Sequence, residues 1–164
     1  MRPSFTPLSL LTLPLCLCLL LLAGCTVSYQ SAGPLPQPTT GTQSQRDEVE
    51  HAAREYLGML DRGEYDATWE SAGPALRAQS SRFAWVNAMK LLRKTLPAAP
   101  ECTVGSIGFT PKVDANAPVG EYAFVVFAGA AGRTTTTEKV VLQKEQARWK
   151  IVGYSMFSKM NFGG

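Results

Sequence analysis

The chain is poor in the residue types from which catalytic and metal centres are usually built. It has one histidine, His51, and four cysteines in 164 residues. Cys16, Cys18 and Cys25 lie near the start, so Cys102 is the only cysteine in the rest of the chain. A structural zinc site needs four cysteine, histidine or carboxylate ligands, most often sulfur and imidazole. We therefore expect no metal and no cofactor.

Charge is also scarce, and nothing in its pattern indicates catalysis. Charged residues make up 18% of the chain and the formal net charge is +3, too small a surplus to indicate a nucleic-acid partner. His51 lies about 200° from Val49 around the first predicted helix, on the side that faces water. No serine or cysteine is placed with it as a nucleophile. We predict no catalytic residue from these patterns.

A single long apolar run, from Leu8 to Leu22, occurs at the N-terminus. It spans about 15 residues, whereas a membrane-spanning helix needs roughly 20. The run ends in Leu22-Ala23-Gly24-Cys25, which resembles the lipobox of a bacterial lipoprotein signal peptide. The resemblance implies cleavage between Gly24 and Cys25 and acylation of the Cys25 thiol. A transmembrane anchor and an ordinary secretory signal are the alternatives.

The lipobox resemblance also implies an address in the cell. Two or three acyl chains hold a protein on a membrane almost permanently. The residue after Cys25 is Thr26 and not aspartate, which in diderm lipoproteins goes with transport to the outer membrane. We expect a lipid-anchored protein of the cell envelope, held on the outer membrane by its N-terminal acyl chains and facing the periplasm.

Composition divides the chain into four segments. Residues 1–24 are the predicted signal peptide, and residues 25–45 are predicted to form a flexible tether without charged side chains, rich in Pro, Thr and Gln. Such a composition buries too little apolar surface to order itself. Residues 46–160 are predicted to form one domain, and residues 161–164 a tail.

The first half of the domain has helical periodicity. Ser44 and Asp47 have capping-box spacing before an apolar stripe. A short second helix is expected over Tyr65 to Ala72, and Pro74 can open one more turn. A third helix is expected from Arg82 to Leu96. The predicted apolar positions of the two longer helices are Val49, Ala53, Tyr56, Leu57 and Leu60, and Trp85, Ala88, Met89, Leu92 and Leu96.

The second half has the composition of strands. Four segments rich in β-branched and aromatic residues are separated by short turns, which favours antiparallel hairpins. They are Thr103 to Lys112, Glu121 to Ala128, Thr134 to Lys144 and Arg148 to Phe157. The predicted fold is α+β, with three N-terminal helices packed on a four-stranded antiparallel curved sheet. Both faces of the second strand are apolar, so the sheet is covered twice, encloses a cavity or presents a binding surface. A cavity would give the cone shape of cystatin-like or nuclear-transport-factor-like folds.

Several short motifs, taken in order, are similar to those of the bacterial domain-of-unknown-function family numbered 4019. They are Glu55 to Tyr65, Thr68-Trp69-Glu70, Trp85, Arg93, Gly120-Glu121-Tyr122, Glu138 and Trp149 to Tyr154. The resemblance covers most of residues 50–155. Pro97 stands where the family pattern continues with a glycine and a second arginine. The family has no established activity, so the resemblance bears on the fold and the envelope address alone.

Two groups of side chains are candidates for binding. Asp61, at the end of the first helix, and four aromatic residues could line a pocket for an apolar or ring-shaped ligand; the alternative is that the aromatic residues are core. These five residues are Asp61, Trp85, Tyr122, Trp149 and Tyr154. A basic face of the third helix could contact anionic lipid headgroups. It comprises Arg82, Lys90, Arg93 and Lys94; the alternative is a solvated helix face with Arg93 paired to an acid.

Three functions follow from these patterns. The leading hypothesis is a non-catalytic domain that binds an envelope protein or a small apolar ligand. The second is an enzyme that uses Asp61 or Tyr122 inside a cone-shaped pocket. The third is a structural subunit of an envelope assembly that uses the apolar residues of the C-terminal tail, Phe157, Met160 and Phe162.

Overall fold

The structure, a computed structural model, describes residues 34–96 and 102–160. The predicted signal peptide, the Gly24–Cys25 cleavage site and the tail at 161–164 lie outside these residues. Helices come first in the described chain and strands follow. The helices are α1 (Gln43–Asp61), α2 (Tyr65–Ser71), α3 (Pro74–Gln79) and α4 (Arg82–Thr95). The strands are β1 (Cys102–Thr110), β2 (Tyr122–Ala131), β3 (Thr134–Glu145) and β4 (Arg148–Met160).

The predicted α+β class with a four-stranded antiparallel sheet is confirmed, but the prediction of three helices is wrong. The described residues form four helices because the turn at Pro74 is a separate helix, α3. Gly73 is its N-cap and Pro74 occupies its first turn, where the missing N–H of proline costs nothing. The Gly73 N–H donates to the Ile151 carbonyl at 2.7 Å and so fixes the start of α3 against β4.

Helix α1 begins earlier than the sequence pattern indicated. Its capping box is formed by Thr42 and Gln45 and not by Ser44 and Asp47. The Thr42 side chain accepts from the Gln45 N–H at 3.2 Å, and the Gln45 side chain accepts from the Thr42 N–H at 2.8 Å. The helix therefore begins at Gln43, three residues before the predicted domain boundary. All five predicted apolar positions of α1 are buried.

The end of the predicted tether contacts the domain. Thr39 and Phe109 exchange two backbone hydrogen bonds, of 2.8 and 2.9 Å, in an isolated antiparallel bridge at the edge of β1. Gly41, at φ +65°, lies so close to the Phe109 ring that a Cβ would overlap it. Residues 39–42 are therefore held on the sheet edge, although their composition is that of a flexible segment.

The sheet has the order β1-β2-β3-β4, with each strand antiparallel to the next. The β3–β4 turn has Gln146 and Ala147 at φ 46° and 66°, the left-handed pair of a type I′ hairpin. Irregularities in register occur in β1 at Gly105 and in β4 at Val152.

The two faces of the sheet differ in how they are covered. We call the inner face the one that packs on α1, with Ala123, Val125, Phe127, Val140 and Leu142 all 0% exposed. The outer face carries the alternate residues, which include the half-buried Phe124, Val126, Val141 and Val152.

Helix α4 buries Trp85, Val86 and Met89. Ala88, which the sequence pattern placed in the apolar stripe, is exposed. The buried side is therefore rotated toward Val86 and, about two turns further on, Arg93. In the described residues, no helix combines the length and apolar character needed to cross a membrane.

Candidate functional site

A buried ion pair joins α4 to the inner face of the sheet. The guanidinium of Arg93 donates to both carboxylate oxygens of Glu138, Nη2 to Oε2 at 2.9 Å and Nη1 to Oε1 at 3.3 Å. The two side chains are 7% and 2% exposed. Two parallel N–H···O bonds of this kind fix the position and the orientation of both groups.

Three further side chains complete this arrangement. The Tyr154 hydroxyl donates to Glu138 Oε2 at 2.5 Å, and Arg93 Nη2 lies 3.1 Å from Asp61 Oδ1. The sulfur of Met156 accepts from Arg93 Nη1 at 3.7 Å. We call Arg93, Glu138, Tyr154 and Asp61 the Arg93 cluster. It connects α1, α4, β3 and β4.

Burial, hydrogen bonds and neighbouring charges together set the protonation of the Arg93 cluster. Burial alone would lower the pKa of Arg93, but the hydrogen bond to Glu138 and the nearby negative charges raise it overall. Burial raises the pKa of Asp61; the guanidinium of Arg93 opposes this effect and the charge of Glu138 adds to it. Burial also raises the pKa of Tyr154, as does its hydrogen bond to Glu138. Arg93 is therefore charged and Tyr154 is a neutral donor at physiological pH.

The Arg93 cluster is a poor place for catalysis. Glu138 is 2% exposed, and its carboxylate receives three hydrogen bonds from Arg93 and Tyr154, so a substrate has no access to it. Arg93 Nε is buried without a hydrogen-bond partner in the described chain, but its two terminal nitrogens are paired, and a buried ion pair of this kind most often fixes how elements pack. We assign the Arg93 cluster to the packing of α4 on the sheet.

A groove with a volume of about 740 Å³ lies on the outer face. We call it the outer groove. Its floor is formed by Tyr122, Val141, Val152 and Gly153, with α3 on one side and residues 113–118 on the other. Its size is that of sites for small molecules, which measure roughly 300–1,000 Å³. Gly153 leaves the floor open because it has no side chain.

The loop beside the outer groove is held in place by local hydrogen bonds. Asp114 Oδ1 accepts from the Asn116 and Ala117 N–H groups at 2.7 and 2.8 Å. The Tyr122 hydroxyl donates to the Pro118 carbonyl at 3.1 Å. The loop therefore forms a fixed wall, and the Tyr122 hydroxyl already has a partner.

A second groove, of about 450 Å³, lies between α1 and the β3–β4 hairpin. Trp149 lines it, and its indole N–H donates to Glu48 Oε2 at 3.3 Å. His51 is exposed beside it, with Nε2 3.8 Å from Glu55 Oε1. The histidine thus faces water, as its position on the helix predicts. The second groove is open to solvent where His51, Glu48 and Trp149 line it.

The five predicted pocket residues do not converge on one site. Asp61 and Tyr154 belong to the Arg93 cluster. Trp85 lies in the core, where its indole N–H donates to Thr68 Oγ1 at 3.0 Å. Trp149 lies in the second groove and Tyr122 in the outer groove. The sheet separates Tyr122 from Asp61, so these two residues cannot act on one ligand.

The predicted basic face is also divided. Arg82 pairs with Asp66 at 2.9 Å and with Glu70 at 3.2 Å, while Lys90 and Lys94 are exposed. Arg93 is not on this face, because the inward carboxylate of Glu138 draws it toward the sheet.

The sequence patterns missed Glu138 as a binding partner and Val152 and Gly153 as groove residues. A signal for Glu138 was available, since it stands between Thr136 and Val140 at inward positions of β3, where an acid needs a cation. In the described residues, no three His, Cys, Asp or Glu side chains are grouped to hold a metal ion.

Comparison with known families gives one match. Residues 52–154 match the family described as protein of unknown function (DUF4019). This span contains the whole Arg93 cluster and the floor of the outer groove. Comparisons with curated proteins and with solved structures find no significant match.

Proposed function

The chain belongs to the DUF4019 family of proteins of unknown function, and from this premise we propose that it is a lipid-anchored, non-catalytic binding protein of the bacterial cell envelope. Cys25 carries the acyl chains, the protein lies on the outer membrane and faces the periplasm, and the domain binds a small apolar or ring-shaped ligand. The observation that carries the binding role is the outer groove.

The chemistry of the outer groove favours binding over catalysis. Its floor is apolar except for Tyr122, whose hydroxyl is engaged with the Pro118 carbonyl. Burial raises the pKa of Tyr122, so this hydroxyl is not a base at neutral pH. Asp114 uses its Oδ1 to hold the loop. An apolar floor with few polar groups is typical of sites that select a ligand by shape.

A curved, cone-like sheet is part of the same proposal. The register shifts at Gly105 and Val152 support it, because bulges bend a strand and increase its twist. Val152 lies in the floor of the outer groove, so the bend in β4 shapes the binding surface.

The anchor is tested by the intact mass of the protein extracted from membranes, compared with a Cys25→Ala variant. We expect a mass equal to residues 25–164 plus acyl chains, and loss of the cleaved and acylated species in the variant. An uncut, unacylated N-terminus in the parent protein would overturn the anchor and the address.

The ligand site is tested by filling the outer groove. Gly153→Leu places a side chain over the floor, and the nearest Val141 atom is 3.5 Å from the new Cβ position, which is ordinary contact. Ser155→Leu, two residues further along the same strand and on the same face, is the matched control. Binding of the apolar fluorescent probe anilinonaphthalene sulfonate to the folded protein, and native mass spectrometry of co-purifying small molecules, report occupancy.

We expect Gly153→Leu to abolish probe binding and to remove any co-purifying molecule, with Ser155→Leu unchanged. Equal binding by the parent protein and Gly153→Leu would show that the outer groove is not the site. Turnover of a co-purified molecule by the parent protein would overturn the non-catalytic assignment.

A further inference from the structure

Part of the outer face has charge of one sign only. The outward residues of the described strands, from the Phe124–Val141 pair to the Thr135–Lys159 pair, include Lys139 and Lys159 and no carboxylate. Both lysines are exposed. The net charge of the whole chain is small, so this distribution is a property of the face and not of the composition.

Apolar side chains lie between these lysines. Phe157 is 69% exposed and points outward opposite Thr137. Phe124 and Val126 are half-buried on the same face, and Lys139 Nζ lies 4.9 Å from the centre of the Phe124 ring. We call Phe124, Val126, Lys139, Phe157 and Lys159 the outer patch. Aromatic and cationic side chains on one surface are the combination that interfacial membrane binding uses.

The chain that leads to the predicted anchor reaches the domain across this face. Residues 35–38 line a groove of about 360 Å³ together with Phe124, Val141, Lys112 and Lys139. Pro34 follows Cys25 by nine positions in the sequence, and a fully extended chain of that length spans at most roughly 30 Å. Acyl chains on Cys25 would therefore bring a membrane within about 30 Å of the outer face.

We propose that the outer patch docks on the anionic phospholipid surface into which the Cys25 acyl chains insert. Lys139 and Lys159 pair with headgroup phosphates, and the Phe157 ring enters the interface between headgroups and acyl chains. The proposal rests on the proposed lipid anchor. It assigns membrane contact to the sheet and not to the basic face of α4, where Arg82 is already paired with Asp66 and Glu70.

The test uses the acylated protein reconstituted in vesicles that contain brominated phosphatidylcholine. Phe157→Trp places an indole in the outer patch, and Phe83→Trp places one on α4, where Phe83 is 81% exposed. Bromine quenches an indole only at close range. Fluorescence of the parent protein, which reports its own tryptophans, is subtracted.

We expect strong quenching of Phe157→Trp on vesicles with anionic phosphatidylglycerol, little quenching on neutral vesicles, and little quenching of Phe83→Trp on either. Adding Lys139→Gln and Lys159→Gln should weaken the docked state by about fivefold per lysine, the usual contribution of one basic side chain near an anionic surface. High salt should have the same effect.

Equal quenching at positions 83 and 157, or quenching at 157 that ignores lipid charge, would overturn the docking proposal while leaving the anchor intact. Failure of the anchor is recognised separately, because the intact mass then lacks the acyl chains. Loss of ligand from the outer groove is a third, independent readout. The docking proposal can therefore fail while the anchor and the ligand site hold, and the ligand site can fail while docking holds.

Discussion

Arg93 of α4 and Glu138 of β3, 45 residues apart in the sequence, form two parallel hydrogen bonds inside the domain. α4 packs mainly on the other helices, most extensively on α2. The ion pair therefore fixes the orientation of α4 relative to the sheet. Burying the Arg93–Glu138 pair costs desolvation free energy for two charges. The attraction between the two side chains offsets this cost only while both are present.

Removing one partner should destabilise the domain more than removing both. Arg93→Met leaves the Glu138 carboxylate buried without its cation, and we expect a loss of about 3–5 kcal/mol in the free energy of unfolding. Arg93→Met with Glu138→Leu replaces the pair by apolar side chains and should lose less than the single variant. Urea unfolding monitored by circular dichroism measures both. A double variant as unstable as the sum of the two single variants would contradict this account.

Asp61, at the exposed edge of the Arg93 cluster, should make stability depend on pH. Its pKa is raised from 3.8 in the folded protein, so the protonated form is favoured by folding. Its stabilising contribution is present below about pH 4 and is lost as the pH rises through the raised folded value. The groups that act on it are Arg93, Glu138 and Arg62.

We expect the unfolding temperature of Asp61→Asn, relative to the parent protein, to be higher at about pH 7 than at about pH 3. Asp47→Asn, on the exposed side of α1, is the control for a lost surface charge. If Asp61→Asn instead loses stability only at neutral pH, the ion pair with Arg93 outweighs the effect of burial.

Helix α4 shows which part of the fold the sequence predicts and which part it does not. The apolar period placed the helix correctly and identified Trp85 and Met89 as buried. It placed Arg93 on the basic face of the helix, and the alternative pairing of Arg93 with an acid did not identify that acid as Glu138 of β3. Arg93 lies about 80° from Trp85 around the helix, within the arc that Val86 and Met89 occupy. Knowing that Arg93 is buried required knowing that Glu138 points inward.

The outer groove could not be predicted for a different reason. The sequence indicated that β2 is apolar on both faces, and Tyr122, one of the predicted pocket residues, lines the outer groove. Val152 and Gly153 reach the groove floor only because β4 shifts register by one residue at Val152. A one-residue bulge reverses which side chains face outward, and no local pattern in β4 marks it.

Two glycines with left-handed backbone give a test of the contact between the tether and the domain. Gly41 and Gly132 have φ +65° and +58°, but a Cβ on Gly41 would overlap Phe109, whereas a Cβ on Gly132 meets no atom within 4 Å. Both alanine variants pay a backbone cost of about 1 kcal/mol. Gly41→Ala should cost about 1–3 kcal/mol more, the usual penalty for overpacking.

Thermal unfolding of the two variants measures the difference between Gly41 and Gly132. Because residues 39–42 are held at the β1 edge, Gly41→Ala should also raise protease sensitivity before residue 43, and Gly132→Ala should not. Equal unfolding temperatures would show that this part of the chain does not contribute to the stability of the domain.

The last prediction concerns Tyr56 and Tyr154, whose ring centres lie 6.0 Å apart. The two hydroxyls differ in their hydrogen bonds. The Tyr154 hydroxyl donates to the Glu138 carboxylate. The Tyr56 hydroxyl is buried and makes no hydrogen bond within the described chain. Burial raises the pKa of Tyr56 and the nearby Thr68 hydroxyl opposes this effect, but the Thr68 hydroxyl already donates to the Tyr65 carbonyl and accepts from the Trp85 indole.

Tyr154→Phe should therefore cost about 1.5–3 kcal/mol, the usual contribution of a hydrogen bond to a charged group. Tyr56→Phe should be close to neutral, since it removes a hydroxyl that was buried without a partner. Burial raises the pKa of both phenols above their ordinary value of 10.0, so stability falls as the pH rises above about 10 and the unfolded tyrosines ionise.

The absorbance of phenolate during alkaline titration measures the ionisation of the tyrosines directly. We expect Tyr56 and Tyr154 of the folded parent protein to ionise only as it unfolds, so each variant should have one late-ionising tyrosine fewer than the parent protein. A Tyr56→Phe variant as unstable as Tyr154→Phe would show that the Tyr56 hydroxyl has a partner that stabilises the fold.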